Sequence, residues 1–587
     1  MQFVSGYEHR WRTPAGQVLF CLTTVVATLI AGLVALAPAA NAASAANAPN
    51  SAGSSSAPAH SAPTSAPSTS APAPKPAATE HFDIDDFAVE GADTLPQIEI
   101  EEAIYPFLGP NRTADDVEKA RAALEKAYHD KGFQTVSVSV PQQNTQTKVV
   151  TLKVTELKVG RLRVKNSRYF DLNKITQKAP SLKEGSVPNF NDVTKDIVAL
   201  NQWPDRRVTP ALRAGVTPGT VDVDLNVEDN VPLHASIEFN NRQSPNTTAL
   251  RFTSTVHYDD LWQRGDSFSF TYQVAPQRPN DAEVFSGSYL ARVDDVDWLS
   301  VLLYAVKSSS DVATVGGTNI VGPGQIVGSR AVITLPTRDN FFHTLSVGFD
   351  YKHFDQTVTL GGSFQSPVTY YPVVANYSAT FQREQSTTQL DAGVTYNLRP
   401  LSSDPTDFDN KRFAASASFI HLNADLSHTQ ELPEGFQAYG KIQGQVADGP
   451  LVSSEQLSIG GLDTVRGYLE SEVLGDNGIV GNLELRTPNV GDMLQKQLKD
   501  ETGQGAPRFP TFNEWRFFGF ADAGVATVLT PLPEQQSKFD LWSVGVGTRF
   551  KLLNYLNGTL IYSVPMISQT YTQAREPRVN FRIWGEF

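Results

Sequence analysis

One segment of this chain gathers the residue types needed to hold a charge in place. Between Gly449 and Asn477 lie Glu455-Gln456-Leu457-Ser458-Ile459-Gly460-Gly461 and then Val465-Arg466-Gly467-Tyr468. Gly460, Gly461 and Gly467 free the backbone for sharp turns and close packing, so Arg466 can ride on a folded tip. A guanidinium withdrawn from water needs a carboxylate, and its planar fork matches two carboxylate oxygens. Asp522 offers one, in Phe517-Phe518-Gly519-Phe520-Ala521-Asp522-Ala523-Gly524. Alternation puts Trp515, Phe517, Ala521 and Val525 on one side of that strand and Asp522 on the other, with Phe520 and Gly524. A solvated loop arginine fits the same spacing, and the residues alone leave both readings open.

Other chemistry-bearing residues are thinly spread. The ten histidines are scattered. His421 and His428 stand at an odd spacing that turns them to opposite faces of a strand, with only Asp425 between them, so solvated side chains are expected rather than metal ligands. Asp404-Pro405-Thr406-Asp407-Phe408-Asp409 lacks the glycine and the distal glutamate of a calcium loop and reads as a solvated outer loop. Gly316-Gly317 to Gly324 opens no helix, which disfavours a phosphate cradle. No nucleophile motif stands out, so neither catalytic residues nor a cofactor are expected. The net charge is −14, with no basic run beyond pairs such as Arg206-Arg207. A nucleic-acid partner, which needs a clustered cationic face, is not expected.

The elements that would position Arg466 and Asp522 follow from organisation along the chain. Residues 1–42 read as a signal peptide: Arg10 and Arg12, an apolar run from Val18 to Ala37 that holds the single cysteine, Cys21, and a small-residue ending at Ala40-Asn41-Ala42. Residues 43–79 are almost entirely Ala, Pro and Ser with one charge, Lys75, and read as a linker. From 80 to 156 the pattern is that of a compact unit in the order β-α-α-β-β, with Thr113 as a helix cap and Gly132 as its stop. The same order recurs from 157 to 230, an internal repeat. Exposed sheet edges in such units suit an extended peptide.

From 231 to 587 alternation takes over. In Asp266–Val274, Phe268, Phe270, Tyr272 and Val274 alternate with Ser267, Ser269, Thr271 and Gln273; Asp540–Leu552 and the last strand through Phe587 repeat the pattern. Apolar residues toward lipid and polar residues toward a wet lumen are what a transmembrane β-barrel requires. Sixteen segments are expected, starting near Val231, Thr248, Asp266, Val284, Trp298, Gln325, Phe342, Val368, Thr387, Lys411, Phe436, Gly478, Glu514, Asp540, Leu556 and Arg578. The fold class is thus an all-β barrel of 16 antiparallel strands preceded by two α+β units. An even count returns both ends to the side that carries those units. The connection Asn489–Phe512 is long for a turn, with a short helix expected near Asp492–Leu498.

With these parts assembled, the chain resembles the TpsB transporters of two-partner secretion, the haemolysin secretion/activation family of the Omp85 superfamily. The likeness rests on the tandem units, the barrel, Val465-Arg466-Gly467-Tyr468, Phe520-x-Asp522-x-Gly524 and the terminal Phe587. Leu200-Asn201-Gln202-Trp203-Pro204-Asp205-Arg206 and the turn Tyr258–Asp266 match as well. The resemblance implies that the repeats are polypeptide-transport-associated (POTRA) domains in the periplasm and that the barrel lies in a bacterial outer membrane, in contact with lipid and lipopolysaccharide. It implies that the loop folds into the lumen with Arg466 held by Asp522. It further implies that a secreted TpsA-type exoprotein is the client and that Phe587 is the signal read by the barrel-assembly machinery. Family members often carry a plug helix ahead of the linker, and no amphipathic helix is legible in Ala43–Thr79. Two rivals remain: an Omp85-type insertase that assembles other barrels, and a diffusion porin.

Overall fold

In lipid every backbone N–H and C=O must find a partner within the protein, so a strand can cross only as part of a closed sheet. The computed structural model describes residues 81–143, 147–294, 296–310, 312–315, 318–338, 340–359, 363–397, 399–491 and 512–587. The segments expected as signal peptide and linker, and the helix expected near Asp492–Leu498, lie outside the described residues.

The barrel is a closed antiparallel ring. Its strands are β1 (Leu233–Asn240), β2 (Arg251–Leu261), β3 (Asp266–Val274), β4 (Glu283–Arg292), β5 (Leu299–Ser308), β6 (Gly324–Thr334), β7 (Phe341–Thr359) and β8 (Ser363–Tyr370 with Pro372–Arg383). They continue with β9 (Ser386–Asn397), β10 (Ile420–Glu431), β11 (Gln437–Ala447), β12 (Asn477–Arg486), β13 (Phe512–Thr527), β14 (Lys538–Leu552), β15 (Leu556–Pro565) and β16 (Arg578–Glu586). The two parts of β8 pair with β7 in one register, Tyr370 opposite Lys352 and Val373 opposite Phe349. They count as one strand, interrupted at Tyr371, whose N donates to the Asn397 side chain just ahead of Pro372, a residue with no N–H to give the ladder. The total is sixteen.

The ring closes between β16 and β1, from Arg582 opposite Asn240 to Glu586 opposite Ser236. The terminal residue extends the seam: Ala235 N donates to Phe587 O (3.0 Å) and Phe587 N to Ala235 O (2.8 Å), while the Phe587 ring stays exposed. Along the wall the alternation holds. Phe268 and Phe270 of β3 are exposed, as are Ile479 and Leu483 of β12, whereas Val480, Asn482 and Glu484 are buried on the lumen side.

One expected strand start is corrected. At Lys411 the chain is in a helix, Pro405–Lys411, and β10 begins only at Ile420. Asp404 accepts from Thr406 N (2.9 Å) and Pro405 occupies the first turn, a local start signal stronger than weak alternation. The same helix corrects the reading of Asp404–Asp409 as a solvated loop, because Phe408 is fully buried in an apolar cluster with Phe354, Tyr370 and Phe419.

Ahead of the barrel stand two α+β units. In the first, Val149–Glu156 lies between Asp86–Glu90 (parallel) and Val136–Ser139 (antiparallel). Its long helix, Ala114–Asp130, starts at Thr113 with a capping box completed by Asp116. Gly132, at φ +100°, follows its end. Beside this sheet Phe82–Ile84 pairs with Gly109–Arg112, a strand without alternation. The second unit repeats the arrangement, with Thr220–Asp229 between Lys158–Lys165 (parallel) and Arg206–Ala214 (antiparallel) and helices at Leu172–Gln177 and Phe190–Leu200.

The second unit touches the barrel at the turn between β2 and β3. Gln263 accepts from Asp171 N (2.7 Å) and donates to Tyr169 O (2.9 Å). Gly265, at φ +77°, lets Trp203 lie against the turn, where any side chain would strike the indole. Arg206 packs beneath Trp203 (4.2 Å) and Phe170 (5.0 Å), and burial pushes its pKa down to about 10, so it remains charged at neutral pH. No helix among the described residues is long and apolar enough to cross a membrane.

Candidate functional site

The connection between β11 and β12 folds back into the barrel instead of reaching outward. Within it Leu457–Ile459 pairs with Val473–Gly475, a small hairpin that carries the intervening tip. Ile459, Val465, Tyr468 and Val473 bury their side chains against Val480, Ala526 and Leu541 of the wall. Gly460 (φ +113°), Gly461 (φ +102°) and Gly467 (φ +94°) take left-handed conformations that side chains resist. At Gly461 a side chain would also meet the Glu470 carboxylate.

Arg466 sits at the tip, 4% exposed, and faces Asp522 of β13, 1% exposed. Its Nε donates to Asp522 Oδ2 and its Nη2 to Oδ1, both at 2.6 Å, and its backbone N reaches Oδ2 at 3.1 Å. Asp522 also accepts from Asn482 (2.8 Å). The lumen register of β13 accounts for the spacing Phe520-x-Asp522-x-Gly524. The guanidinium carbon lies 3.7 Å from the Phe520 ring centroid, Asp522 supplies the charge, and Gly524 leaves room for the loop. A Cβ at Gly524 would stand 3.0 Å from Val465 and 3.1 Å from Ile459.

Glu484 of β12 is a second carboxylate, one that residue spacing alone did not single out. It accepts from Arg466 Nη1, from Arg549 Nη2 (3.0 Å) and Nη1 (3.1 Å), and from Arg486 Nε (2.9 Å). Its position on the lumen register beside Asn482, opposite the exposed Leu483, is the signal that could have found it. Three guanidiniums thus share two buried carboxylates. Such a network holds tightly while complete, because loss of one member leaves another charge without a partner in a poorly solvated place.

Further anchors fix the same loop. Glu455, 6% exposed, accepts from Lys352 Nζ (2.6 Å) and Tyr370 Oη (2.6 Å), and His421 Nε2 lies at 3.1 Å. His421 is therefore not the solvated side chain expected: it is buried inside the lumen, whereas His428 is exposed and meets Thr388. Asp476, fully buried, pairs with Arg412, whose Nη2 reaches Oδ2 at 2.6 Å. Arg242 grips Glu470 through Nε and Nη2, each at 3.1 Å. Tyr468 donates its hydroxyl to Ile567 O (2.8 Å) and accepts from Ile567 N (3.2 Å). Against the underside of the loop lies a lumen cavity of about 1020 Å³ whose lining includes Arg466, Glu484, Arg549, Asp425 and Lys441.

Filling the space that Gly524 leaves should displace the tip without touching a charge. Gly524→Val is expected to cost loop docking about 1–3 kcal/mol through overpacking while the barrel still inserts. Planar-bilayer recordings should then show a higher conductance than the native channel, and an unchanged conductance would argue against close packing at Val465.

Comparison with known proteins agrees with this architecture. The family model described as POTRA domain, ShlB-type, matches residues 82–156, and that of haemolysin secretion/activation protein ShlB/FhaC/HecB matches residues 344–505. The outer membrane transporter CdiB of Dickeya dadantii is 20% identical over 405 residues, 65% of this chain and 67% of that protein. The heme/hemopexin transporter protein HuxB of Haemophilus influenzae is 20% identical over 395 residues, with the same shares. Among solved structures, CdiB from Escherichia coli has a TM-score of 0.59 at 16% identity, covering 88% of this chain and 93% of that one. BamA from Haemophilus ducreyi lacking POTRA domains 1–3 shares the fold at a TM-score of 0.51 and 11% identity, covering 87% and 100%. Read with the sixteen-stranded barrel and the units ahead of it, these matches make the chain similar to the haemolysin secretion/activation proteins ShlB/FhaC/HecB over the matched residues.

Proposed function

We propose that this protein is the outer-membrane transporter of a two-partner secretion system. The two POTRA-type units, 80–156 and 157–230, take up an unfolded TpsA-type exoprotein in the periplasm, and the barrel of 231–587 passes it to the surface. The observation that carries this reading is a lumen loop held by buried ion pairs, a built closure in a pore that already has peptide-binding modules at its mouth. Such a closure has no use in a diffusion porin. The channel supplies no chemistry to its client, and folding of the client outside the cell provides the drive. Residues 1–42 are read as the export signal and 43–79 as the linker. Phe587, exposed at the seam, is read as the mark recognised by the barrel-assembly machinery, and the apolar wall as the surface met by lipid and lipopolysaccharide.

Depleting the protein and comparing the surface proteome tests this. Loss of one large exported protein, with other barrels at normal levels, is the expected result. Loss of many barrels would instead favour an insertase.

A further inference from the structure

We propose that the periplasmic end of the first barrel hairpin is a transition-metal site, with His234, His257 and Asp259 as ligands and Asp205 of the second α+β unit as the fourth. His234 on β1 and His257 on β2 are direct cross-strand partners, and their rings stack with centroids 4.7 Å apart. Both belong to the lumen register, since their neighbours Leu233, Ile237 and Val256 are the exposed ones. Asp259 follows two residues after His257 on the same face.

The ligand atoms already converge. His257 Nε2 is 3.5 Å from Asp259 Oδ2, and His234 Nε2 is 4.0 Å from that same oxygen. One donor atom from each of the three residues lies within 4.8 Å of the others. Zinc bonds of roughly 2.0–2.2 Å in a tetrahedron separate neighbouring donors by about 3.3–3.5 Å. The present separations therefore close on an ion through small side-chain rotations. Asp205 Oδ2 lies 3.0 Å from His234 Nε2, on the nitrogen that would bind the metal. Two imidazoles with carboxylates suit zinc, whereas magnesium and calcium take all-oxygen sets. The side chains of His234, His257 and Asp259 are 31, 41 and 32% exposed, so the ion has a path in.

Position gives the site a consequence. Asp205 lies in the segment that leads into the strand Arg206–Ala214, whereas the other three ligands belong to the barrel. A bound ion would tie the second unit to the wall, one residue from Ala235, where Phe587 closes the seam.

The test uses the full chain without a polyhistidine tag, folded in detergent and stripped of metal. Calorimetric titration with ZnCl2 should show one equivalent binding with a dissociation constant on the order of micromolar or tighter. Cobalt(II) in its place should give the visible absorption of a tetrahedral site. His257→Ala is expected to weaken zinc binding by about 100-fold, and Asp205→Asn by about 10-fold. His257→Gln, which keeps a neutral side chain of similar length, guards against a folding defect in the alanine variant, and His428→Ala should change nothing. Absence of saturable zinc binding, or undiminished affinity in both His257 variants, would overturn the site and leave a hydrogen-bonded His234–Asp205 pair beside a longer His257–Asp259 contact. Undiminished affinity in Asp205→Asn would overturn the tie to the second unit.

Discussion

Asp522→Ala is expected to free the tip of the lumen loop, raise the resting conductance of the channel and lower export of its client. Asp522 takes three hydrogen bonds from Arg466 and one from Asn482. Without it Arg466 keeps Glu484 alone, which Arg549 and Arg486 already occupy. Breaking a buried pair costs about 3–5 kcal/mol, and a water-filled lumen favours the lower end. About 3 kcal/mol shifts the balance between docked and free loop by roughly 100-fold. Arg466→Ala should open the channel as well but disturb the barrel less, because Asp522 keeps Asn482 and Glu484 keeps two guanidiniums. If the residues act as one lock, the double variant will resemble the single ones. Losses in conductance control and export that simply add would show that each acts alone. Planar-bilayer recordings and a secretion assay on the four proteins complete the cycle.

The halves of this lock differ in how legible they are in the sequence. Arg466 and Asp522 can be paired from residue types and spacing, because glycines mark a folded tip and strand parity aims the aspartate inward. Glu484 and Arg486 share the lumen face of β12, but their part in the lock is not legible, since Arg549 and Arg466 reach Glu484 only after β12, β13 and β14 take their register and the loop folds in, and no local pattern encodes a neighbour two strands away. Glu455 lies in a segment that the glycines and Arg466 single out, yet its partners Lys352, Tyr370 and His421 come from three other strands. His421 misleads for the same reason: spacing along one strand says which face a side chain takes, not what folds against that face. His234 and His257 escape a reading along the chain because they adjoin across a ladder.

The barrel is legible because lipid imposes one rule on every crossing, and period-two alternation is its direct trace. The rule fails where local chemistry overrides alternation. Asp404-Pro405 starts a helix where a solvated loop was expected and carries it to Lys411, where a strand was expected to begin, and the ladder breaks at Tyr371, ahead of Pro372, without ending the strand. In the first unit, Gly109–Arg112 pairs with Phe82–Ile84 although Gly109-Pro110-Asn111 carries turn residues and Asn111 adopts φ +61°. That strand follows from the packing of its neighbours, which no window of sequence contains.

Removing residues 80–230 should abolish export altogether and leave an inserted barrel. The wall does not need those residues: β16 pairs with β1, and the lumen loop is held by side chains from the barrel and its outer loops. Among the described residues, hydrogen bonds from the second unit to the barrel go to the turn between β2 and β3 and to the Asp205–His234 pair, so few are lost with it. What vanishes is the peptide-binding surface. In the second unit the outer edge of Lys158–Lys165 is taken at Val159 by Gly185 and Ser186, whereas Arg206–Ala214 is capped on its outer edge by Asn201 at Val208 and continues beyond it, with Val198, Leu212 and Val216 exposed nearby. In the first, Asp86–Glu90 is the edge suited to strand addition, since Arg121, Glu125 and His129 bond the outer side of Val136–Ser139, and Ile98 and Tyr105 are exposed. An unfolded client can add strands to such edges through main-chain hydrogen bonds, largely independent of its side chains. A shortened chain keeping residues 1–79 joined to 231–587 should run as a heat-modifiable, membrane-inserted band, with its client accumulating unsecreted in the periplasm. Export that persists in this variant would mean that the barrel itself selects the client, and the lumen-facing charges around Arg466 would then become the place to look for recognition.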